Sequence, residues 1–339
     1  MPGPFKALQG GLRQSHLGHR IEELIGDKLV ALEADIAHHL QSPHVPIAEM
    51  GAYLGLSRGK RLRPSLLLLV AKMLGYEGSD DVHYGSVYEL IHTASLIHDD
   101  IVDQALLRRS RGSLNARFGS EMAVLMGDYV FTLALSLANR YGEGPILTLI
   151  SDTTVKLVEG ELLQKHHKWD LNLPRETHIE ILRCKTAYLF AACAQTPALM
   201  VSASVERRQA LVDFGMNMGL AFQVVDDCLD FKSDEATLGK PVCSDLKEGK
   251  ITLPLLLLME RGTSEDRAFL EAVVAAKRFD PDTLQEVVSR ARRRGTIRSA
   301  EECAGEYCAL ASDALAKLPS GAIRDILERL PDFVLKRTY

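Results

Sequence analysis

The sequence lacks the cysteine spacings that bind zinc or that cross-link small secreted domains. Its six cysteines are spread over the second half of a 339-residue chain, and none of them forms a Cys-x-x-Cys pair. Free thiols are typical of proteins that remain in a reducing compartment, so we expect a cytoplasmic protein.

Long apolar runs, excess positive charge and strand-like patterns are missing as well. No apolar run approaches the roughly 20 residues that a membrane-spanning helix needs. The formal net charge of −5 gives no general reason to expect nucleic-acid binding. The alternation of apolar and polar residues that indicates strands is absent, which predicts an all-α fold.

What the sequence does have is material for a packed helical core. Apolar residues make up 46% of the chain and charged residues 25%. Apolar residues recur at steps of three and four between 20 and 40, which predicts an amphipathic helix, whereas 111–120 is predicted to be a loop. We interpret 1–19 as a flexible N-terminus rather than a transit peptide. Because 255–339 again shows amphipathic helices, we expect a single domain over 1–339.

A cluster of three aspartates, Asp99, Asp100 and Asp103, follows an apolar helical run. Asp99 and Asp103 are four residues apart and therefore project from the same face of a helix. Like charges at this spacing repel each other, and Mg²⁺ bound by carboxylates and substrate phosphates is the usual compensation. A single cluster of this kind is more often a solvated helix face.

The same spacing occurs a second time, at Asp226, Asp227 and Asp230, again on an apolar run. A surface helix would carry more lysine and glutamate around such aspartates. Two copies therefore predict two facing acidic patches that line one cavity, with metal ions between them.

Cationic residues also stand at positions that favour anion binding. Lys60, Arg61 and Arg63 lie between Gly59 and Pro64 in a predicted loop or helix start, where backbone amides and cations can converge on an anion. Taken alone, this segment is equally a basic surface turn.

Further cations stand elsewhere along the chain. Lys185 lies in an apolar context and requires an anionic partner, unless its ammonium group reaches the surface. Lys240 and Lys250 follow the second acidic cluster on a loop rich in glycine and proline.

Together these segments resemble the trans-prenyltransferases, the polyprenyl (isoprenyl) diphosphate synthases. The matching motifs occur in the family's order, from about residue 20 to 260: Gly-Lys-x-x-Arg-Pro at 59–64, Asp-Asp-x-x-Asp at 99–103 followed by Arg108 and Arg109, Lys185 with Thr186, Phe222-Gln223-x-x-Asp-Asp-x-x-Asp at 222–230, Gly239 with Lys240, and Lys250. The resemblance implies an isoprenoid synthase-type helical bundle around a deep central cavity, assembled as a homodimer.

The resemblance also implies roles for individual residues. Metal binding is assigned to Asp99, Asp100, Asp103, Asp226 and Asp230, with Asp227 in support. Binding of the diphosphate group of isopentenyl diphosphate is assigned to Lys60, Arg63, His92 and Arg109. Binding of the allylic diphosphate is assigned to Arg108, Lys185, Thr186, Gln223, Lys240 and Lys250. Three Mg²⁺ ions per active site are implied, with Mn²⁺ as a substitute.

The chemistry of the implied reaction agrees with this division. Diphosphate leaves readily only when its charge is neutralised, and metal ions with fixed cations stabilise the charge that develops. The allylic cation needs a dry apolar cavity. The double bond of isopentenyl diphosphate then attacks, and a proton leaves to the departed diphosphate, since the motifs contain no dedicated base. The product could then pass to membrane enzymes.

Product length is predicted from the residues just before the first acidic cluster. Short-chain relatives carry a bulky aromatic residue at the fifth or fourth position before it, where this chain has Ala94 and Ser95. Small side chains leave a tunnel open, which favours a hexaprenyl to decaprenyl product, with Phe131 or Leu135 as the floor. Asn115 also resembles the long-chain members. The alternative is a cavity capped elsewhere, which would give a farnesyl or geranylgeranyl product.

Three other functions were weighed. A non-catalytic regulatory subunit of a heteromeric synthase would have lost the acidic clusters, which are intact here. A class I terpene cyclase would replace the second cluster with an Asn/Ser/Glu-type metal motif. A di-iron carboxylate protein needs two Glu-x-x-His copies, and only Glu89 with His92 has that spacing. Chain elongation is the function that the sequence favours.

Overall fold

The structure, a computed structural model, describes residues 16–56, 61–108, 111–142, 144–232 and 242–336. The helices of the first half are α1 (His16–His39), α2 (Val45–Leu56), α3 (Leu62–Met73), α4 (Asp80–Val102), α5 (Leu114–Phe118), α6 (Ser120–Tyr141) and α7 (Gly144–His166). Those that follow are α8 (Arg175–Leu182), a π-helical turn (Arg183–Ala187), α9 (Tyr188–Met200), α10 (Val205–Leu229), α11 (Ser244–Glu248), α12 (Leu253–Arg261), α13 (Ser264–Ala276), α14 (Pro281–Arg293), α15 (Thr296–Ala316), α16 (Ala322–Leu327) and α17 (Arg329–Leu335).

The predicted all-α class is confirmed. The strands in the described part of the chain are β1 (Leu107–Arg108) and β2 (Arg111–Gly112), which form one short antiparallel hairpin. The loop predicted at 111–120 is wrong in part, because it contains β2 and the single turn of α5. That turn forms because the Ser113 hydroxyl accepts a hydrogen bond from the Ala116 amide, as an N-cap residue does.

Two compact units make up the chain. Unit 1 comprises Met1–Thr154, Ala192–Val212 and Ala316–Arg329. Unit 2 comprises Val155–Ala191, Asp213–Leu315 and Leu330–Tyr339. The first acidic cluster belongs to unit 1 and the second to unit 2.

Helix α4 carries the first acidic cluster and is largely enclosed by other helices of unit 1. It packs against α1, α3 and α6. Every residue from 84 to 91 is buried, as expected for a helix surrounded by others. Near its N-terminus, the fully buried Asp81 forms an ion pair with Lys28 of α1. The middle of α4 is therefore held firmly, and the aspartates lie at its C-terminal end.

In unit 2, two glycines bring α10 against the helix that contains Lys185. A Cβ atom on Gly215 would lie 2.6 Å from the Cα of Ala191, and one on Gly219 would lie 2.5 Å from the Cα of Ala187. Such spacings exclude any side chain, so the two backbones make direct contact. This contact fixes how the residues farther along both helices face each other.

One helix corrects the expectation that no apolar run is long enough to cross a membrane. By length and composition α6 could do so, with a mean hydropathy of 1.4 over its most apolar stretch. A core helix of a soluble protein passes the same test. One side of α6 packs against α4, which explains why it carries so few charges.

Candidate active site

In the first acidic cluster the middle carboxylate differs from the other two. Asp100 is only 4% exposed, whereas Asp99 and Asp103 are half-buried. Arg108 Nε donates hydrogen bonds to both carboxylate oxygens of Asp100, at 2.8 and 2.7 Å. Asp100 thus serves as the anchor of Arg108, and the pair Asp99 and Asp103 is the part of the cluster suited to bind a cation.

The segment after α4 is folded back so that Arg108 reaches Asp100. The Ala105 amide donates to the carbonyl of Asp100 at 2.8 Å, and the carbonyl of Ala105 accepts from Ser113 Oγ at 2.6 Å. Asn115 Nδ2 also donates to the Ala105 carbonyl, at 3.1 Å. Asn115, which the sequence linked to product length, therefore holds the end of α4 in place.

Arg108 still has N–H donors with which it can bind an anion in this arrangement. The contact with Asp100 uses Nε, and a guanidinium group carries four further N–H donors on its terminal nitrogens. Its predicted role toward the allylic diphosphate is compatible with this geometry. The neighbouring Arg109 lies outside the described residues.

Arg61 anchors the basic segment before α3. Its backbone is left-handed, with φ of 49°, a conformation that non-glycine residues adopt only under external restraint. Two buried contacts supply that restraint: Nε donates to Glu33 of α1 at 2.6 Å, and Nη1 donates to Glu89 of α4. Glu89 is thus an ion-pair partner of Arg61.

The anchored segment places Arg63 beside His92. Nη1 of Arg63 lies 3.0 Å from Nε2 of His92, which precedes Asp99 by two helical turns on α4. Two of the four residues assigned to isopentenyl diphosphate are therefore adjacent. Lys60 lies outside the described residues, as does Arg109.

The two residues predicted to gate product length differ in exposure. Ala94 is fully buried on α4. Ser95 is half-buried and donates its hydroxyl to the carbonyl of His92 at 2.9 Å. On α6, Phe131 and Leu135 are half-buried. An added side chain has room at position 95, whereas at position 94 it must displace neighbours.

In the second acidic cluster the middle carboxylate is again the most buried. Asp227 is 3% exposed, and its Oδ1 accepts a hydrogen bond from Gln223 Nε2 at 3.1 Å. Asp226 is half-buried. Burial raises the pKa of Asp227 well above its usual range, and the nearby Asp245 carboxylate raises it further.

Asp230 has a structural task that its position in the motif did not reveal. Its Oδ1 accepts from the amide and the hydroxyl of Ser244, at 3.0 and 2.7 Å, and Oδ2 accepts from the Asp245 amide at 3.0 Å. These bonds tie the start of α11 to the end of α10. Burial raises the pKa of Asp230. Asp226 is therefore the member of this cluster best suited to bind a metal ion.

Lys185 lies in the π-helical turn, and π-helical turns occur frequently at functional sites. Its ammonium group forms an ion pair with Glu161 of α7 at 2.7 Å and donates to Gln164. A Cβ atom on Gly160 would lie 2.9 Å from the Lys185 amide nitrogen, so α7 and the turn are in direct contact. No role for Glu161 or Gln164 was predicted from the sequence. Gly160 inside a helical pattern was the available signal of close packing.

Thr186 and the remaining lysines also have partners within the chain. The Thr186 hydroxyl donates to Gln223 Oε1 at 2.9 Å, and Lys250 forms an ion pair with Glu248 at 2.6 Å. Thr186 and Gln223, both assigned to the allylic diphosphate, are thus brought together. Lys240 lies outside the described residues.

These carboxylates suit a divalent cation that is bound partly by the protein and partly by other ligands, rather than one fully enclosed by protein side chains. Among the described residues, no three His, Cys, Asp or Glu side chains gather around one point that could hold a metal ion. Half-buried carboxylates such as Asp99, Asp103 and Asp226 are nevertheless hard oxygen ligands. Mg²⁺ is commonly bound through one or two carboxylates, with substrate phosphates and water completing the shell.

Known proteins resemble this chain over most of its length. The family model described as Polyprenyl synthetase matches residues 44–291. The octaprenyl diphosphate synthase of Escherichia coli is 34% identical over 318 residues, which cover 94% of this chain and 98% of that enzyme. A short-chain isoprenyl diphosphate synthase of Methanothermobacter thermautotrophicus is 36% identical over 285 residues, covering 83% of this chain and 87% of that protein.

A solved structure shares both fold and length. The polyprenyl synthase of Caulobacter crescentus, crystallised with calcium and isoprenyl diphosphate, superposes with a TM-score of 0.90. It is 32% identical, and the match covers 95% of this chain and 98% of that one. The isoprenoid synthase-type bundle expected from the sequence is confirmed. The chain therefore belongs to the polyprenyl synthetase family, the prenyltransferases that make polyprenyl diphosphates, and resembles its long-chain members.

Proposed function

We propose that this chain condenses isopentenyl diphosphate with an allylic diphosphate, farnesyl or geranylgeranyl diphosphate, to make a long-chain all-trans polyprenyl diphosphate. The observation that carries the proposal is the pairing of Arg63 with His92, two helical turns before the half-buried Asp99 on the same helix. We assign these cations to a diphosphate that stays intact, and the carboxylates to a metal on a diphosphate that leaves. Lys185 supplies a further cation in unit 2.

Divalent cations, when bound, neutralise the allylic diphosphate and so assist ionisation of its C–O bond. We propose Mg²⁺, three ions per active site, with Asp99, Asp103 and Asp226 as the principal ligands. Asp100 and Asp230 contribute through the bonds that hold Arg108 and α11. Calcium in the Caulobacter structure supports a divalent site in the family.

The cations divide between the two substrates. Arg63 and His92, with Lys60 and Arg109, hold isopentenyl diphosphate in place while its double bond attacks. The allylic diphosphate is surrounded by Arg108, Lys185, Thr186, Gln223, Lys240 and Lys250. Because Lys185 is paired with Glu161 here, it must exchange this carboxylate for a diphosphate oxygen when substrate binds. The departed diphosphate then accepts the proton released in the elimination step.

Product length is assigned from the small residues at positions 94 and 95 and from the similarity to an octaprenyl synthase. The similarity to a short-chain synthase means that family membership alone does not set the length. Farnesyl or geranylgeranyl diphosphate synthesis is therefore the second candidate. The single 1–339 polyprenyl synthetase domain expected from the sequence remains part of this proposal.

Mass spectrometry of the products tests the proposal. The purified chain alone is given isopentenyl diphosphate, farnesyl diphosphate and Mg²⁺, with a chelator control. We expect hexaprenyl to decaprenyl diphosphate with Mg²⁺ and no product with chelator. A farnesyl or geranylgeranyl product would support the second candidate. Absence of turnover by the chain alone, restored by a partner protein, would indicate the regulatory-subunit alternative.

The substrate assignment predicts separate kinetic effects for the two sets of cations. Arg63→Ala should mainly raise the KM for isopentenyl diphosphate, because Arg63 binds a group that does not leave. Lys185→Ala should mainly lower kcat, because it removes charge stabilisation from the ionisation step. Steady-state kinetics with each substrate varied in turn measure this difference. If Arg63→Ala changed only the KM for the allylic substrate, the assignment would be reversed.

We also propose that the enzyme is a homodimer that uses α7. Within unit 2, Val155, Val158 and Leu162 are 56%, 54% and 66% exposed, and their spacing of three and four places them on one face. An exposed apolar stripe of this kind favours packing against its copy in a second chain.

A charge in the stripe should separate the proposed dimer. We expect Val158→Glu to shift the molar mass in light scattering from dimer to monomer, since a buried unpaired carboxylate opposes association. The matched control is Val205→Glu, which changes a valine that is 66% exposed at the start of α10 and should leave the mass unchanged. A wild-type monomer would contradict the proposal.

A further inference from the structure

Two buried polar atoms near the second acidic cluster are unsatisfied. His178 on α8 is 4% exposed and Asp227 on α10 is 3% exposed. Neither His178 Nε2 nor Asp227 Oδ2 has a hydrogen-bond partner within bonding distance. The two atoms face each other at 3.6 Å. Buried polar atoms are almost always paired, so a facing pair this close indicates a hydrogen bond that a small shift completes.

The geometry leaves one oxygen of Asp227 for this bond. Oδ1 of Asp227 already accepts from Gln223, so Oδ2 is the oxygen that faces Nε2 of His178. A hydrogen on either of the two facing atoms completes the bond.

His178 lies at the end of a chain of hydrogen bonds that reaches the π-helical turn. Thr186 donates to Gln223 at 2.9 Å, and Gln223 donates to Asp227 at 3.1 Å. Two cross-connections therefore link the α8 segment to α10, one at Thr186 and one at His178. Between them, Gln223 and Asp227 lie one turn apart on α10. Thr186 is adjacent to Lys185, and Asp227 is adjacent to Asp226.

We propose that His178 is a positioning residue for the prenyl-transfer reaction. It fixes the Asp227 carboxylate and, through Gln223, holds the turn that carries Lys185 and Thr186 in register with the second acidic cluster. Without this bond Asp227 keeps only one donor, and the carboxylate can rotate away from Gln223. His178 itself touches no substrate. This inference rests on the proposed function, since its benefit is the alignment of Lys185 with Asp226.

Two variants of His178 separate hydrogen bonding from packing. His178→Phe fills the same space without a donor, and His178→Gln keeps an N–H near the position of Nε2. We expect His178→Phe to lower kcat about tenfold or more and to raise the Mg²⁺ concentration for half-maximal rate, as loss of an outer-shell partner does. The KM for isopentenyl diphosphate should stay unchanged. His178→Gln should recover most of kcat.

A thermal-melting cycle in chelator provides a readout that is independent of activity. His178→Leu, which removes the hydrogen-bonding group, is combined with Asp227→Asn, and both single variants and the double variant are compared with wild type. The double variant should melt no lower than the less stable single variant, because both changes break one bond. Tyr88→Phe is the control. It removes a buried hydrogen bond to Thr196 in unit 1 and should lower the melting temperature without changing kcat.

The outcomes distinguish this inference from the proposed function. If wild type makes no prenyl product, the proposed function fails while the melting cycle still tests the bond. Additive melting shifts, or wild-type kcat and Mg²⁺ dependence in His178→Phe, would overturn the inference. Equal losses in folded His178→Phe and His178→Gln would also overturn it. If His178→Phe does not fold, His178→Gln and the cycle still decide the question.

Discussion

Removing the first carboxylate of either acidic cluster should nearly abolish turnover. We expect Asp99→Ala and Asp226→Ala each to lower kcat about 10²-fold to 10³-fold or more, the scale of losing one group that stabilises transition-state charge. The reason is that each half-buried carboxylate binds a metal ion, and the charge of that ion is needed chiefly as the diphosphate leaves. Steady-state turnover over a Mg²⁺ titration, with and without chelator, measures the effect.

Stability measurements distinguish these carboxylates from the buried ones. Asp99→Ala should leave the melting temperature close to that of wild type, because a half-buried carboxylate on one helix face repels its neighbour Asp103. Asp100→Ala should lower stability by about 1–3 kcal/mol, because Arg108 loses its acceptor.

The exposed Asp152 on α7 provides the surface control, and Asp152→Ala should change neither activity nor melting temperature. Near-normal turnover in both Asp99→Ala and Asp226→Ala would contradict the model of two metal-binding clusters.

The second large effect concerns product length, and the structure makes position 95 the better place to test it. We expect Ser95→Tyr to shorten the main product from the hexaprenyl to decaprenyl range to farnesyl or geranylgeranyl size. An aromatic ring there fills space that the chain would otherwise enter, while the acidic cluster itself is unchanged. Mass spectrometry of the products, with primer consumption followed in parallel, measures the shift.

Ala94→Tyr provides the comparison within the same turn of α4. Because Ala94 is fully buried, a ring at this position should also shorten the product but with an overpacking cost of about 1–3 kcal/mol. Ser95→Ala is the matched control, since it removes the hydroxyl that bonds to the His92 carbonyl and adds no volume. Its products should equal those of wild type. An unchanged product distribution in both tyrosine variants would mean that the growing chain runs elsewhere.

Local patterns predicted the elements that carry the chemistry. Apolar periodicity predicted α1, α4 and the C-terminal helices, since a helix that buries one face repeats its apolar residues every three to four positions. The apolar helix predicted at 121–139 is α6. The short α5 was missed because a single capped turn is too short to show a period.

The sequence by itself determined that this chain is helical, that it carries two copies of one acidic spacing, and that its motifs follow the order of the polyprenyl synthetase family. These properties are local, because spacing along a helix decides which side chains share a face. The tertiary structure decided which partners the more buried carboxylates of the two clusters have. Arg108, His178 and Ser244 reach Asp100, Asp227 and Asp230 from other segments of the chain. Such partners depend on how those segments pack together, and no spacing along a single helix encodes them.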